Sequence, residues 1–141
     1  MPKFWSGKGV LTLDDSTSMA RVLTGDITNV TMPYTLDSFE VSGFGDVTKS
    51  YVTGLADANV TIQGKVNTAA NRSHAVLTSI LGGTAGYTLL IQPVGTAVGL
   101  PKFFGEVFIS AYNVTADIGG ALVFTADFKP ADATGMAWST N

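Results

Sequence analysis

The sequence has no cysteine and a single histidine, and only 13% of its 141 residues are Asp, Glu, Lys or Arg. Each shortage removes a class of explanation. Without cysteine there are no disulfides, no thiolate zinc sites and no cysteine nucleophiles. One histidine, His74, falls short of the several nitrogen or sulfur ligands that zinc requires. Charged residues make up about 25% of an ordinary soluble domain, so a surface this poor in charge is weakly protected against association. The simplest reading is a surface covered by partner subunits. Mean hydropathy is positive, at +0.29, yet no stretch reaches the ~20 apolar residues of a membrane helix. Met1 to Leu11 lack the apolar centre of a signal peptide, so none is expected. The net charge is −3 and the eight basic residues are scattered singly. Tight nucleic-acid binding needs clustered Lys and Arg, so that class is disfavoured.

What is abundant points to a sheet. The chain holds 18 Thr, 14 Val and 16 Gly. Thr and Val are stiff at χ1 and suit a pleated surface. Residues 1–141 have the length of a single domain. The spacing predicts strands at Gly9 to Leu13, Arg21 to Leu23 and Ile27 to Met32, with Pro33 ending the last. Ser38 to Ser42 and Val47 to Thr53 flank Gly43-Phe44-Gly45-Asp46, which reads as a hairpin tip. Asn59 to Val66 alternates, with Val60, Ile62 and Val66 on one face. From Ala70 to Leu81 the period becomes helical, with Ala70, His74, Leu77 and Leu81 on one face and Val76 and Ile80 beside them. Asn67 or Thr68 would cap its start and Gly82-Gly83 its end, giving a helix of about three turns. Strands resume at Tyr87 to Gln92 and Phe104 to Ala116, and Ala121 to Phe128 returns after Gly119-Gly120. Phe104 to Ala116 is partly apolar on both faces, which fits a strand covered on both sides or one with a bulge. Ala131 to Asn141 reads as a tail anchored by Trp138. The expected fold is mostly β, in the α+β sense: a β-sandwich or barrel with one flanking helix.

No catalytic constellation emerges. His74 shares a helix face with Leu77 and Leu81 and reads as a histidine at the core's edge, not as a triad member. Asp14 and Asp15 are adjacent, so on a strand they point apart, and Ser16-Thr17-Ser18 makes them a turn. Glu40 and Glu106 fall on strands with no spacing that suggests a glycosidase pair. Gly7-Lys8-Gly9 and Gly43-Phe44-Gly45 are too short for phosphate loops. Four N-x-[ST] matches, at Asn29, Asn59, Asn71 and Asn113, are expected by chance in a Thr-rich chain. Trp5, Phe44, Tyr51, Phe103, Phe104 and Trp138 could form an aromatic platform for carbohydrate or single strands. They are more simply core and subunit contacts. Phe44 stands apart, because a hairpin tip is hard to bury within one subunit. No enzyme activity, metal or cofactor is expected.

Several segments together resemble the major tail tube protein of long-tailed, non-contractile (siphovirus-like) bacteriophages. They are Trp5-Ser6-Gly7-Lys8-Gly9-Val10, Ile27-Thr28-Asn29-Val30, Phe39-Glu40-Val41-Ser42-Gly43-Phe44-Gly45-Asp46 and Tyr51-Val52-Thr53-Gly54-Leu55-Ala56-Asp57, then Ser73-His74-Ala75-Val76-Leu77 and the hairpin Gly105 to Phe128. Their order along nearly the whole chain carries the resemblance more than any one motif. The resemblance implies a β-sandwich flanked by one helix. It also implies hexameric rings whose strands join into an inner barrel, stacked into a tube that passes DNA into the host. Such proteins commonly touch the next ring through a long loop, matched here by Asp37 to Thr53. Asp37, Glu40, Phe44, Asp46, Lys49 and Tyr51 are therefore the expected inter-ring or subunit contacts. Asp57 and Asp127 are candidate lumen acids, since an acidic channel lets DNA slide without sticking.

The implied partners are further copies of the chain, the tape-measure and other tail proteins, and DNA passing without specific binding. No membrane is implied. The implied location is the virion tail, assembled in the host bacterial cytoplasm. The chain departs from some such proteins in lacking an immunoglobulin-like C-terminal domain, and Gly135-Met136-Ala137-Trp138 has no evident counterpart. Two other readings compete. One is a monomeric β-sandwich module that binds carbohydrate. The other is an injection-tube subunit of a contractile tail or secretion system.

Overall fold

The computed structural model describes residues 9–83, 86–131 and 135–141. Ten strands occur in it: β1 Val10–Asp14, β2 Ala20–Val22, β3 Ile27–Thr31, β4 Tyr34–Glu40, β5 Tyr51–Ala58, β6 Val60–Lys65, β7 Tyr87–Gln92, β8 Pro101–Thr115, β9 Val123–Pro130 and β10 Met136–Thr140. One helix, α1, spans Ser73–Ser79. The expected mostly-β fold with a single helix is what forms.

Eight strands make one antiparallel sheet in the order β2-β1-β7-β8-β9-β6-β3, with β10 also paired to β8. Alternation explains which side faces inward. Leu11 and Leu13, Leu89 and Ile91, Val60 and Ile62, and Phe124, Ala126 and Phe128 are all buried, while their neighbours in sequence are not. These residues come from both ends of the strand path yet share one cluster with Val76, Leu77 and Ile80 of the helix. The sheet therefore curls around a common core. Burying each of Phe103, Phe124 and Phe128 completely contributes about 1.5–3 kcal/mol.

Strand β8 is the fold line. Its first half pairs with β7 on one side and β10 on the other, and its second half pairs with β9. The register slips between Ile109 and Ala111. Of the two readings of this two-faced strand, the bulge is the one realised. It turns the second half so that Tyr112 faces the interior and stacks on Phe124, with ring centroids 5.8 Å apart.

Three expectations are corrected. The helix is about two turns, not three. Asn71 has a left-handed φ of 62° and Arg72 is extended, so a helix cannot begin earlier. Its buried face is Ser73, Val76, Leu77 and Ile80, while Ala70 and Leu81 are exposed. Neither Asn67 nor Thr68 is the N-cap residue, which is Arg72. The Ser73 N–H donates instead to Asp26 Oδ2 at 3.2 Å, and Asn67 Nδ2 donates to Asp26 Oδ1 at 3.1 Å. Ser73, fully buried, donates to the Lys65 carbonyl and accepts from the Asn67 N–H. Second, the hairpin strands lie farther from the tip than expected, at Tyr34–Glu40 and Tyr51–Ala58. Third, the tail contains a strand: Met136–Thr140 pairs with Gly105 to Pro101, and Trp138 packs on Phe103 at 5.0 Å between centroids. Trp5 to Lys8, in the opening motif of the resemblance, lie outside the described residues.

Candidate assembly surface

Strands β3 and β6 pair with Thr31 opposite Thr61, and β4 and β5 pair with Tyr34 opposite Ala58. Three residues on from Thr31 thus meets three residues back from Thr61. The register carries across the break, so β3-β4 and β5-β6 are one long hairpin. Pro33 interrupts it, because proline has no N–H to give the ladder. Beyond Pro33 the hairpin leaves the body as a two-stranded arm. Tyr34 anchors its base, meeting the buried Phe103 ring edge-on at 6.4 Å.

Every residue of β4 is exposed, and β5 buries only Ala58. Leu36, Phe39, Val41, Phe44, Val47, Tyr51, Val52 and Leu55 all present large apolar side chains to solvent. A two-stranded ribbon with no covered face is marginal in water, and an apolar surface of this extent marks an interaction site. The arm is also acidic. Four of the chain's eleven acids (Asp37, Glu40, Asp46, Asp57) and one of its eight bases (Lys49) lie in it. The arm alone therefore carries a charge of −3, and the seven acids and seven bases elsewhere cancel.

Local chemistry shapes the tip. Gly43 N–H donates to Asp46 Oδ2 at 2.6 Å, and Asp46 N–H donates to the Gly43 carbonyl at 3.2 Å. Gly45 takes φ 92°, which a glycine adopts without strain. The ladder continues to this turn through the Val41 N–H and the Ser50 carbonyl, 2.8 Å apart. Phe44, fully exposed, crowns it. Lower down, a register shift follows Leu36. There Gly54 leaves room for the Phe39 ring, which a methyl group at that position would strike.

The structure brings the expected contact residues Asp37, Glu40, Phe44, Asp46, Lys49 and Tyr51 together on this one arm. Asp46 closes the turn with its carboxylate, which the sequence did not suggest. Asp57 lies at the arm's base. Asp127, on β9, accepts a hydrogen bond from Thr61 Oγ1 at 2.8 Å and stands opposite Thr61 in the ladder. Strand alternation puts residues 57, 59 and 61 on one face, so Asp57 and Asp127 share the outward side of the hairpin. Thr31, Gln63, Thr125 and Asn113 lie on that side too. The aromatic-platform residues are dispersed: Phe103 is buried, Phe104 faces outward beneath Lys102, and Phe44 and Tyr51 ride on the arm. A cleft of about 610 Å³ under the arm holds one carboxylate and one amine, Asp57 and Lys129. His74 donates to or accepts from the Tyr112 hydroxyl at 3.0 Å and pins the helix to β8. Among the described residues no three His, Asp or Glu side chains cluster as a metal site would require, and no helix is long and apolar enough to cross a membrane.

This curled sheet with its single helix is similar in fold to known tube structures. Three solved structures show the likeness. The SPP1 tail tube aligns over 99% of this chain and 80% of its own, with 7% identity and a TM-score of 0.72. The tail of an empty gene transfer agent particle, solved with C6 symmetry, aligns over 94% and 95%, with 12% identity and a TM-score of 0.68. The sheath-tube complex of an extracellular contractile injection system aligns over 99% and 93%, with 13% identity and a TM-score of 0.70. At these identities the likeness is one of fold. No protein-family model and no curated protein matches the sequence.

Proposed function

We propose that this chain is the structural subunit of a phage tail tube, acting as a single domain that assembles into stacked hexameric rings. The observation that carries this reading is the arm. It is an apolar, two-stranded extension with no cover of its own, on a fold whose solved counterparts are tube subunits. The arm reaches the neighbouring ring, with Phe44 as its anchor and Asp37, Glu40, Asp46, Lys49 and Tyr51 around it. Among the described residues the outer strands β2 and β3 end the sheet with unpaired edges, which pairing with neighbours in a ring would remove. The polar face bearing Asp57 and Asp127 lines the channel, where acids and hydroxyls repel a polyanion or leave it unbound. DNA is cargo in this reading, not a ligand, and the tube belongs to the virion tail. We assign it to a long, non-contractile tail, on the opening and hairpin motifs of the sequence.

Electron microscopy of the purified chain at rising concentration tests the proposal. Rings or hollow tubes are expected. A monomer at every concentration, together with glycan binding, would replace it with the carbohydrate-module reading. A second reading has a specific observation behind it. Injection-system tubes match as well as the phage tube, with TM-scores of 0.70 and 0.71 against 0.72. A sheath layer around the native tube would decide for that reading.

A further inference from the structure

Strand β10 is held to the body by different means along its length. At its start Met136 is buried, and Gly105 of β8 leaves room for it: a Cβ there would lie 2.7 Å from Met136 Cγ. In its middle Trp138 packs on Phe103. Ala137 to Thr140 are all exposed. One residue further on, Asn141 carries the pairing past Thr140 and Pro101. Its N–H donates to the Leu100 carbonyl at 2.8 Å, and its carbonyl accepts from the Gly99 N–H at 3.2 Å. Its side chain turns into the loop between β7 and β8. Asn141 Oδ1 accepts from Gln92 Nε2 at 2.9 Å, while Nδ2 donates to the Gly95 carbonyl at 2.9 Å and to the Ala97 carbonyl at 3.1 Å.

That loop has little else to hold it. None of residues 93–100 is buried, and Val98 is almost fully exposed. Its own turns close through two bonds of 3.3 Å, from Gly95 N–H to the Gln92 carbonyl and from Leu100 N–H to the Ala97 carbonyl. Both are long for N–H to O. Among the described residues the other hydrogen bonds that fix the loop all run to Asn141. The inner side of β10 reaches the arm as well. Phe103 lies between two rings, Trp138 at 5.0 Å and Tyr34 at 6.4 Å, and Tyr34 is the first residue of β4.

We propose that β10 and the β7-β8 loop form a two-state strap, with Asn141 as its latch. Docked, β10 closes the loop and seats Trp138 over Phe103. Released, β10 carries Asn141 away, the loop opens, and Phe103 loses one of the two rings that flank it, so the root of the arm loosens. A short strand with one buried side chain and a loop with none belong to the least stable parts of a fold. The Asn141 bonds cross between the two segments, so neither segment can open without breaking the other's contacts. The strap lies within one subunit and operates whether or not the chain builds tubes.

Hydrogen exchange of the intact chain, followed residue by residue by NMR at a concentration where it is monomeric, tests the strap. Asn141→Ala removes the side-chain bonds to Gln92, Gly95 and Ala97 and keeps the backbone bonds. It is expected to speed exchange across Gly95 to Leu100 and Met136 to Thr140 by one common factor of about tenfold or more. Strands β6 and β9 should keep the parent's rates, and the Tyr34 ring resonances should shift. Trp138→Ala leaves every Asn141 bond in place, yet should speed the loop by the same factor as β10. Faster exchange in the loop with β10 unchanged would make Asn141 a local brace and overturn the strap. So would a Trp138→Ala variant that frees β10 alone, or acceleration that extends to β6 and β9. Tyr34 resonances that stay in place in both variants would overturn the link to the arm.

Discussion

Replacing Phe44 with alanine should separate the stability of the subunit from that of the assembly. In the isolated chain the ring is fully exposed and touches no core residue. Truncating it should leave the unfolding free energy unchanged within about 0.5 kcal/mol, as for other surface sites. If the ring is buried against a neighbour, its loss removes about 1.5–3 kcal/mol of contact per subunit. At 1.4 kcal/mol per factor of ten, that raises the critical concentration roughly ten- to hundredfold. Sedimentation of the assembled fraction across a concentration series reads the second quantity, and urea denaturation of the monomer reads the first. An unchanged critical concentration would refute the anchor role. A clear loss of monomer stability would mean that the arm folds back on its own subunit.

Other sites test the fold. A methyl group added at Gly64 would overlap the Asp26 carbonyl oxygen and crowd the Phe124 ring. Gly64→Ala should destabilise the monomer by about 1–3 kcal/mol in urea, as overpacking does. Tyr112→Phe keeps the stacking on Phe124 but removes the hydroxyl that meets His74. It should cost about 0.5–1.5 kcal/mol, with no further loss when combined with His74→Ala. Burial also pushes the Tyr112 hydroxyl above its ordinary pKa, so the bond should persist through mildly alkaline pH. Asp15 is held well below the usual carboxylate range by the Thr17 hydroxyl, the Arg21 guanidinium and the Met19 and Thr17 backbone N–H groups. Its folded pKa lies below its unfolded one, so its contribution is complete above the ordinary value near ~3.9 and fades as pH falls through the folded value. The difference in Tm between the parent and Asp15→Asn should be full at neutral pH and shrink below about pH 4. A constant difference would refute this account.

The strands that alternate were legible from period alone. Val60 and Ile62 were expected to share a face, and both are buried. The turn at Gly43 to Asp46 was legible from its glycines. What was not legible depended on partners distant in sequence. Period alone extended the helix to twelve residues. Its true start is set by Asn71's left-handed backbone and by Asp26, which is 47 residues from the N–H it accepts. Strand β10 is short and mostly exposed, so it has no inward face to show as a pattern; it exists because β8 offers it an edge. Asp37, Glu40, Phe44, Asp46, Lys49 and Tyr51 were singled out by resemblance alone, and all six lie on the β4-β5 hairpin. The exposure of Ile118 went unremarked, although one large aliphatic residue beside two glycines in a turn is the same signal as Phe44 between its glycines.

The unbroken register across Pro33 has a mechanical consequence. Hydrogen bonds in an antiparallel ladder run across the strands. An arm that continues β3 and β6 along their own axes pulls at right angles to those bonds. In the proposed tube, tension between stacked rings would then load the bonds of β3, β6 and β9 side by side, in shear. A hairpin attached across the strands would open them one at a time, like a peeled seam. The same geometry makes the Pro33 junction the compliant point, where a tube could bend while the ladder on either side stays closed.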